Sequence, residues 1–173
     1  MRLISLALCT ALLTISGGTT AVAASTATYS FTGVVTASHG GPKPGQTVAI
    51  TFTVNRDFAA DAGGTPGMRA SYTGGSASPS GLSPILGVTI DKADAHGWFD
   101  SIKVQKNLGG VSAVAMSTAL PQYGLSLTVA MATAMHGVVK SLAIPASVFP
   151  GLFQSATFTV YVSPRESYAG VLR

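Results

Sequence analysis

The sequence predicts an all-β protein: an antiparallel β-sandwich, jelly-roll or immunoglobulin-like, of about eight or nine strands after an N-terminal signal peptide. Three observations carry this prediction. Apolar residues alternate with small or hydroxyl ones in several runs, clusters of turn formers separate those runs, and helical periodicity is scarce. In "QTVAITFTV" the alternation sets Val48, Ile50, Phe52 and Val54 on one face, opposite Thr47, Ala49, Thr51 and Thr53. "LSLTVAMATAM" does the same with Leu125, Leu127, Val129, Met131 and Met135, and "ATFTVYV" with Phe158, Val160 and Val162. Their β-branched content suits a pleated, half-buried surface.

In chain order, strands are expected at 28–37, 46–54, 68–73, 85–91, 98–105, 111–117, 125–134, 156–163 and 167–172. The punctuation between them is "HGGPKPGQ", "ADAGGTPG", "TGGSASPSGLSP", "DKADAHG", "KNLGG", "LPQYG" and "VSPRES". Such Gly, Pro, Asn and Asp clusters mark turns. One helical turn is expected within "PASVFPGLF", and no repeat or linker interrupts the pattern.

The N-terminus reads as a secretory signal: Arg2, then the apolar "LISLALCTALLTI", then "SGGTTAVAA" ending in small residues. Cleavage after Ala24 would leave residues 25–173 as a single domain, secreted or periplasmic. The apolar run is shorter than the ~18 residues a membrane span needs, so no stable span is expected after signal removal. Cys9, the only cysteine, lies inside the signal, early in the apolar run rather than after a small-residue box, which argues against a lipoprotein. The mature chain would then lack disulfides, thiol catalysis and cysteine-bound metal. An outer-membrane barrel fits poorly, since aromatic residues are few and the strands are broken by Pro and Gly.

Ten Lys and Arg face six Asp and Glu, for a formal charge of +4. The basic residues are scattered, with only Lys103 and Lys106 close together, so the clustered footprint of a nucleic-acid binder is missing.

Each motif in the chain also has a plainer reading. "GGPKPGQT" begins like a phosphate loop, but Gln46 stands where lysine belongs and Pro42 and Pro44 lack N–H donors. "KADAHGWFDSIK" can be laid on a calcium loop, but Lys92 and Lys103 occupy the two positions where carboxylates carry most of the ligation. A looser metal site would draw on Asp91, Asp94 and Asp100. His39, His96 and His136 lack ligand-pair spacing, and each precedes a glycine, as turn residues do. No cofactor is implied, and no hydrolase motif of the G-x-S-x-G, S-x-x-K or H-E-x-x-H kind is present.

The densest polar stretch is "DKADAHGWFD", residues 91–100. As a binding site it would use Trp98 to stack on a sugar ring, with Asp94 and His96 bonding hydroxyls. The plainer reading, which the alternation with Phe99, Ser101, Lys103 and Gln105 favours, puts Trp98, Ile102 and Val104 toward the core. Asp91 and Asp94 would then satisfy turn backbone.

The succession "YSFTGVVT", "GQTVAITFTVNRDFAAD", "YTGGSASPSGLSPILGVTID", "SIKVQKN", "YGLSLTVA" and "FPGLFQSATFTVYV" followed by "YAGVLR" resembles a group of small secreted bacterial proteins, many of which end in a PEP-CTERM sorting tail. That resemblance implies export and a β-rich fold, but no activity or catalytic residue. The chain departs from the group in lacking Pro-Glu-Pro, a following apolar span and a basic cluster. It closes on "GVLR", which reads as an interrupted strand.

The expected function is therefore non-enzymatic: an envelope or extracellular-matrix protein that contacts polysaccharide or other surface material. Two alternatives stand beside it. One is a small secreted hydrolase using Asp91, Asp94, His96 and Asp100; the other is a structural subunit that assembles by adding strands at an incomplete C-terminal edge.

Overall fold

Alternation of apolar and hydroxyl residues makes one face of every long strand a core face, and those faces line the inside of a single curled sheet. The computed structural model describes residues 25–62, 64–75, 82–120 and 124–173. The proposed signal segment, residues 1–24, lies outside them. The strands are β1 (Thr26–His39), β2 (Thr47–Asn55), β3 (Arg69–Gly74), β4 (Ile85–Ile90) and β5 (Ala93–Asp94), then β6 (Phe99–Leu108), β7 (Val111–Leu120), β8 (Leu125–Thr133), β9 (Ser155–Ser163) and β10 (Glu166–Leu172). Each of the nine expected strands is present, and the two-residue β5 is added. The expected helical turn is a 3-10 turn at Pro150–Leu152. Among the described residues no helix is long and apolar enough to cross a membrane.

The strands form one antiparallel sheet in the order β3-β6-β7-β8-β9-β10-β1-β2-β4-β5, curled into a half-barrel. Two separate sheets, as the sandwich expectation had it, are not formed. The reason lies in β1. Its first part pairs with β2 from Thr26 to Val34, and its later part pairs with β10 from Gly33 to His39. One long strand thus joins what would otherwise be two sheets. The stagger between its two ladders, with a bulge between Val35 and Ala37, adds coil to the sheet.

The concave face holds the core. Val48, Ile50, Phe52 and Val54 of β2 are all buried, as are Ile102 and Val104 of β6, Leu127, Val129 and Met131 of β8, and Phe158 and Val160 of β9. Met135, expected to extend the β8 face, instead lies past the strand end and is exposed.

One end of the half-barrel is closed by the β8–β9 connection, residues 134–154. Val139 and Ile144 of this segment are buried in the core cluster. Tyr29 of β1 and Tyr72 of β3 donate their hydroxyls to the carbonyls of Pro145 and Leu142, so the segment is tied to two distant strands. The Ala134 N–H bonds Gln154 Oε1 at 3.0 Å and draws the base of the loop together.

Burial pushes the Tyr29 phenol up to about 12, against a smaller opposing pull from Arg56. The folded state therefore favours the neutral phenol, while the unfolded chain ionises near the ordinary phenol value of 10.0. This contribution to stability is complete below pH ~10 and is lost as pH rises toward ~12, at up to about 1.4 kcal/mol per pH unit. Denaturant titrations across that window should show the decline, and Tyr29→Phe should lessen it, the remainder belonging to Tyr72 and Tyr168, whose phenols burial also raises.

The two sheet edges are not open templates. Asp61, beyond β2, donates its N–H to Ser71 O and accepts the Thr73 N–H and hydroxyl through its two carboxylate oxygens. Arg69 N–H is taken by Thr65 O. Three outward backbone groups of β3, the Arg69 N–H, Ser71 O and Thr73 N–H, are thereby paired, a partial cover of the kind that protects edge strands. At the other edge β5 is only two residues long. β10 lies inside the sheet between β9 and β1, so the C-terminal strand is not the free edge that its sequence suggested.

Candidate binding cavity at the open end

The stretch 91–100 sits at the end opposite the plug. Asp91 and Lys92 both take positive φ, 49° and 72°, the arrangement of a two-residue hairpin turn matched to strand twist. Asp91 also ties this turn to β2: its Oδ1 accepts the Ala49 N–H at 2.7 Å, and its own N–H donates to Ala49 O at 2.8 Å. Asp94 Oδ1 accepts the His96 N–H at 2.9 Å, a local turn of the kind Asp favours. Both aspartates thus satisfy backbone, as the plainer reading expected.

Past β5 the chain runs against β7. Gly97 donates to Thr118 Oγ1 at 2.6 Å, and a side chain there would run into the Ala119 carbonyl, so the close approach requires glycine. His96 is thereby held over Asp100, its Nε2 lying 3.0 Å from Oδ2. Ser83 donates to the same oxygen at 2.5 Å. The Asp100 side chain is fully enclosed, and its Oδ1 has no hydrogen-bond partner among the described residues.

Asp100 takes the inward position on β6 next to Ile102 and Val104. Trp98, expected to continue that series, does not. It lies in a bend before β6 begins and is 48% exposed, as is Phe99. The inward series stops at Asp100 because the core layer ends there, so the core assignment of Trp98 is corrected.

These residues edge a cavity of about 580 Å³ at the open mouth. Asp91, Asp94 and His96 line one side. Leu127, Val160, Tyr161, Glu166 and Tyr168, from β8, β9 and β10, line the other. Both the size and the mixture of apolar wall with a few polar groups suit a small-molecule site, for which roughly 300–1,000 Å³ is usual. Burial raises the Tyr168 phenol above its ordinary value, and the carboxylates of Asp91 and Glu166 raise it further. Trp98 does not line this cavity.

Sequence reasoning found Asp91, Asp94 and His96 but missed Glu166, Tyr161, Tyr168 and Ser83. Only Glu166 carried a signal, being the one glutamate in the chain.

The geometry also bears on chemistry. A serine nucleophile needs a base on its hydroxyl. Ser83 instead donates to Asp100 Oδ2, the same oxygen that His96 Nε2 approaches, and accepts the Ile85 N–H at 2.9 Å. Asp100 is enclosed while Asp91 reaches the cavity, so the two are not presented together across a cleft. Among the described residues, no three His, Asp or Glu side chains are grouped to hold a metal ion, and Asp91, Asp94 and Asp100 do not converge. No family model, no curated protein and no solved structure matches the chain.

Proposed function

We propose that this is an exported, non-enzymatic binding protein of the envelope or extracellular matrix, and that its ligand enters the open mouth of the half-barrel. The observation that carries the reading is the cavity itself, apolar within and edged by Asp91, Asp94, His96 and Glu166, at the end opposite the 134–154 segment. The signal-like residues 1–24 and the resemblance to small secreted bacterial proteins support a secreted or periplasmic location.

The test is fluorescence of N-phenyl-1-naphthylamine, a neutral apolar dye that brightens on leaving water. Saturable brightening that Leu127→Glu abolishes, in a variant that keeps its cooperative unfolding, is the expected result. Dye fluorescence that never saturates would defeat the proposal.

A second reading has its own support. Trp98 and Phe99, adjacent and each half exposed, offer aromatic surface to a polysaccharide. Retardation in polysaccharide gels that Trp98→Ala removes would favour it.

A further inference from the structure

Building on the mouth as a ligand cavity, we propose that its occupant is a small cationic amphiphile: an amine or quaternary ammonium group carried on an apolar body. The chain as a whole is basic, with ten Lys and Arg against six carboxylates. The cavity reverses that balance. Among the described residues Asp91, Asp94 and Glu166 line it, and no Lys or Arg does. Lys43, Lys92 and Arg165 belong to turns at the same end, but they are exposed and lie outside the lining. Among the described residues His96–Asp100 is the only acid–base contact within 4.0 Å, so none of these three carboxylates has a basic side chain within that distance.

The remaining wall fits the other half of such a ligand. Ile90, Leu127 and Val160 give it an apolar floor. Tyr161 and Tyr168 add aromatic rings, whose faces attract cations and recognise quaternary ammonium groups. The Tyr168 phenol is raised first by burial, and the nearby Asp91 and Glu166 carboxylates raise it further. An anionic amphiphile would meet these carboxylates with repulsion, and a neutral one would gain nothing from them.

The experiment is calorimetric titration of the purified protein with decylammonium, decanol and decanoate, each below its micelle-forming concentration. Decylammonium should bind about tenfold more tightly than decanol, a modest preference because the mouth is open to solvent screening, and decanoate should bind weakest. High salt should erase most of the preference. The triple variant Asp91→Asn, Asp94→Asn, Glu166→Gln removes the charges and keeps the oxygens that accept the Ala49 and His96 N–H groups. It should bind all three probes like decanol. If it fails to fold, Asp94→Asn and the salt series make the same comparison. Decanol or decanoate matching decylammonium would overturn the cationic assignment and leave the cavity reading intact. Binding of none of the three would overturn both.

Discussion

Replacing Phe158 by alanine is expected to destabilise the protein by about 3–5 kcal/mol, the range for deleting a buried aromatic ring. The ring sits at the joint that makes the sheet continuous. On β9 it is paired across the ladder with Gly170 of β10, and it reaches over to Gly33 of β1. An added Cβ would lie 2.5 Å from the ring at Gly33 and 2.6 Å from it at Gly170. Tyr168 meets the ring edge-on at 6.3 Å. The two glycines give the aromatic its space, and the aromatic covers their bare backbone. A double-mutant cycle distinguishes this from ordinary burial. Gly33→Ala should be costly in the native protein and much cheaper once Phe158 is alanine, because the three atoms nearest its Cβ all belong to that ring. Gly170→Ala should stay costly in both backgrounds, since its Cβ also runs into the Val34 carbonyl. Additive values for Phe158 and Gly33 in chemical denaturation would contradict this arrangement.

Ile144→Ala is the second substitution with a large expected effect, a loss of about 2–5 kcal/mol. Ile144 is almost fully enclosed, yet it comes from an irregular connection whose other anchors are Val139 and the two tyrosine hydroxyl bonds. The loss should therefore be uneven. Hydrogen exchange should accelerate first in residues 134–154 and only afterwards in β8 and β9, as for a unit that opens locally. Uniform acceleration across the sheet would mean that the segment is an inseparable part of the core and not a cover.

Strand positions were legible because each strand states its own faces locally. Val48, Ile50, Phe52 and Val54 announce β2 without reference to any other residue. Sheet count was not legible, because it depends on β1 meeting β10, and no local pattern records a partner that distant. The plug was missed for a related reason: Val139 and Ile144 are buried by a segment that makes no ladder, so their burial has no period. Trp98 was misplaced by extending a correct alternation one step beyond the end of the core. The mouth was half legible. Asp91, Asp94 and His96 fall within one short polar stretch, whereas Glu166, Tyr161 and Tyr168 join them only through the curl of the sheet.

The position of β1 also sets an order of assembly. Thr36 of β1 and Ala169 of β10, hydrogen-bonded in the folded protein, are 133 residues apart in sequence. The hairpins β6–β7, β7–β8 and β9–β10 can form as soon as their own residues are present, but the ladder that unites the sheet waits for the last strand. Pairings of such long sequence separation slow folding. β1 has no partner on one side until β10 exists, so the sheet behaves as a clasp that shuts only when the last strand arrives.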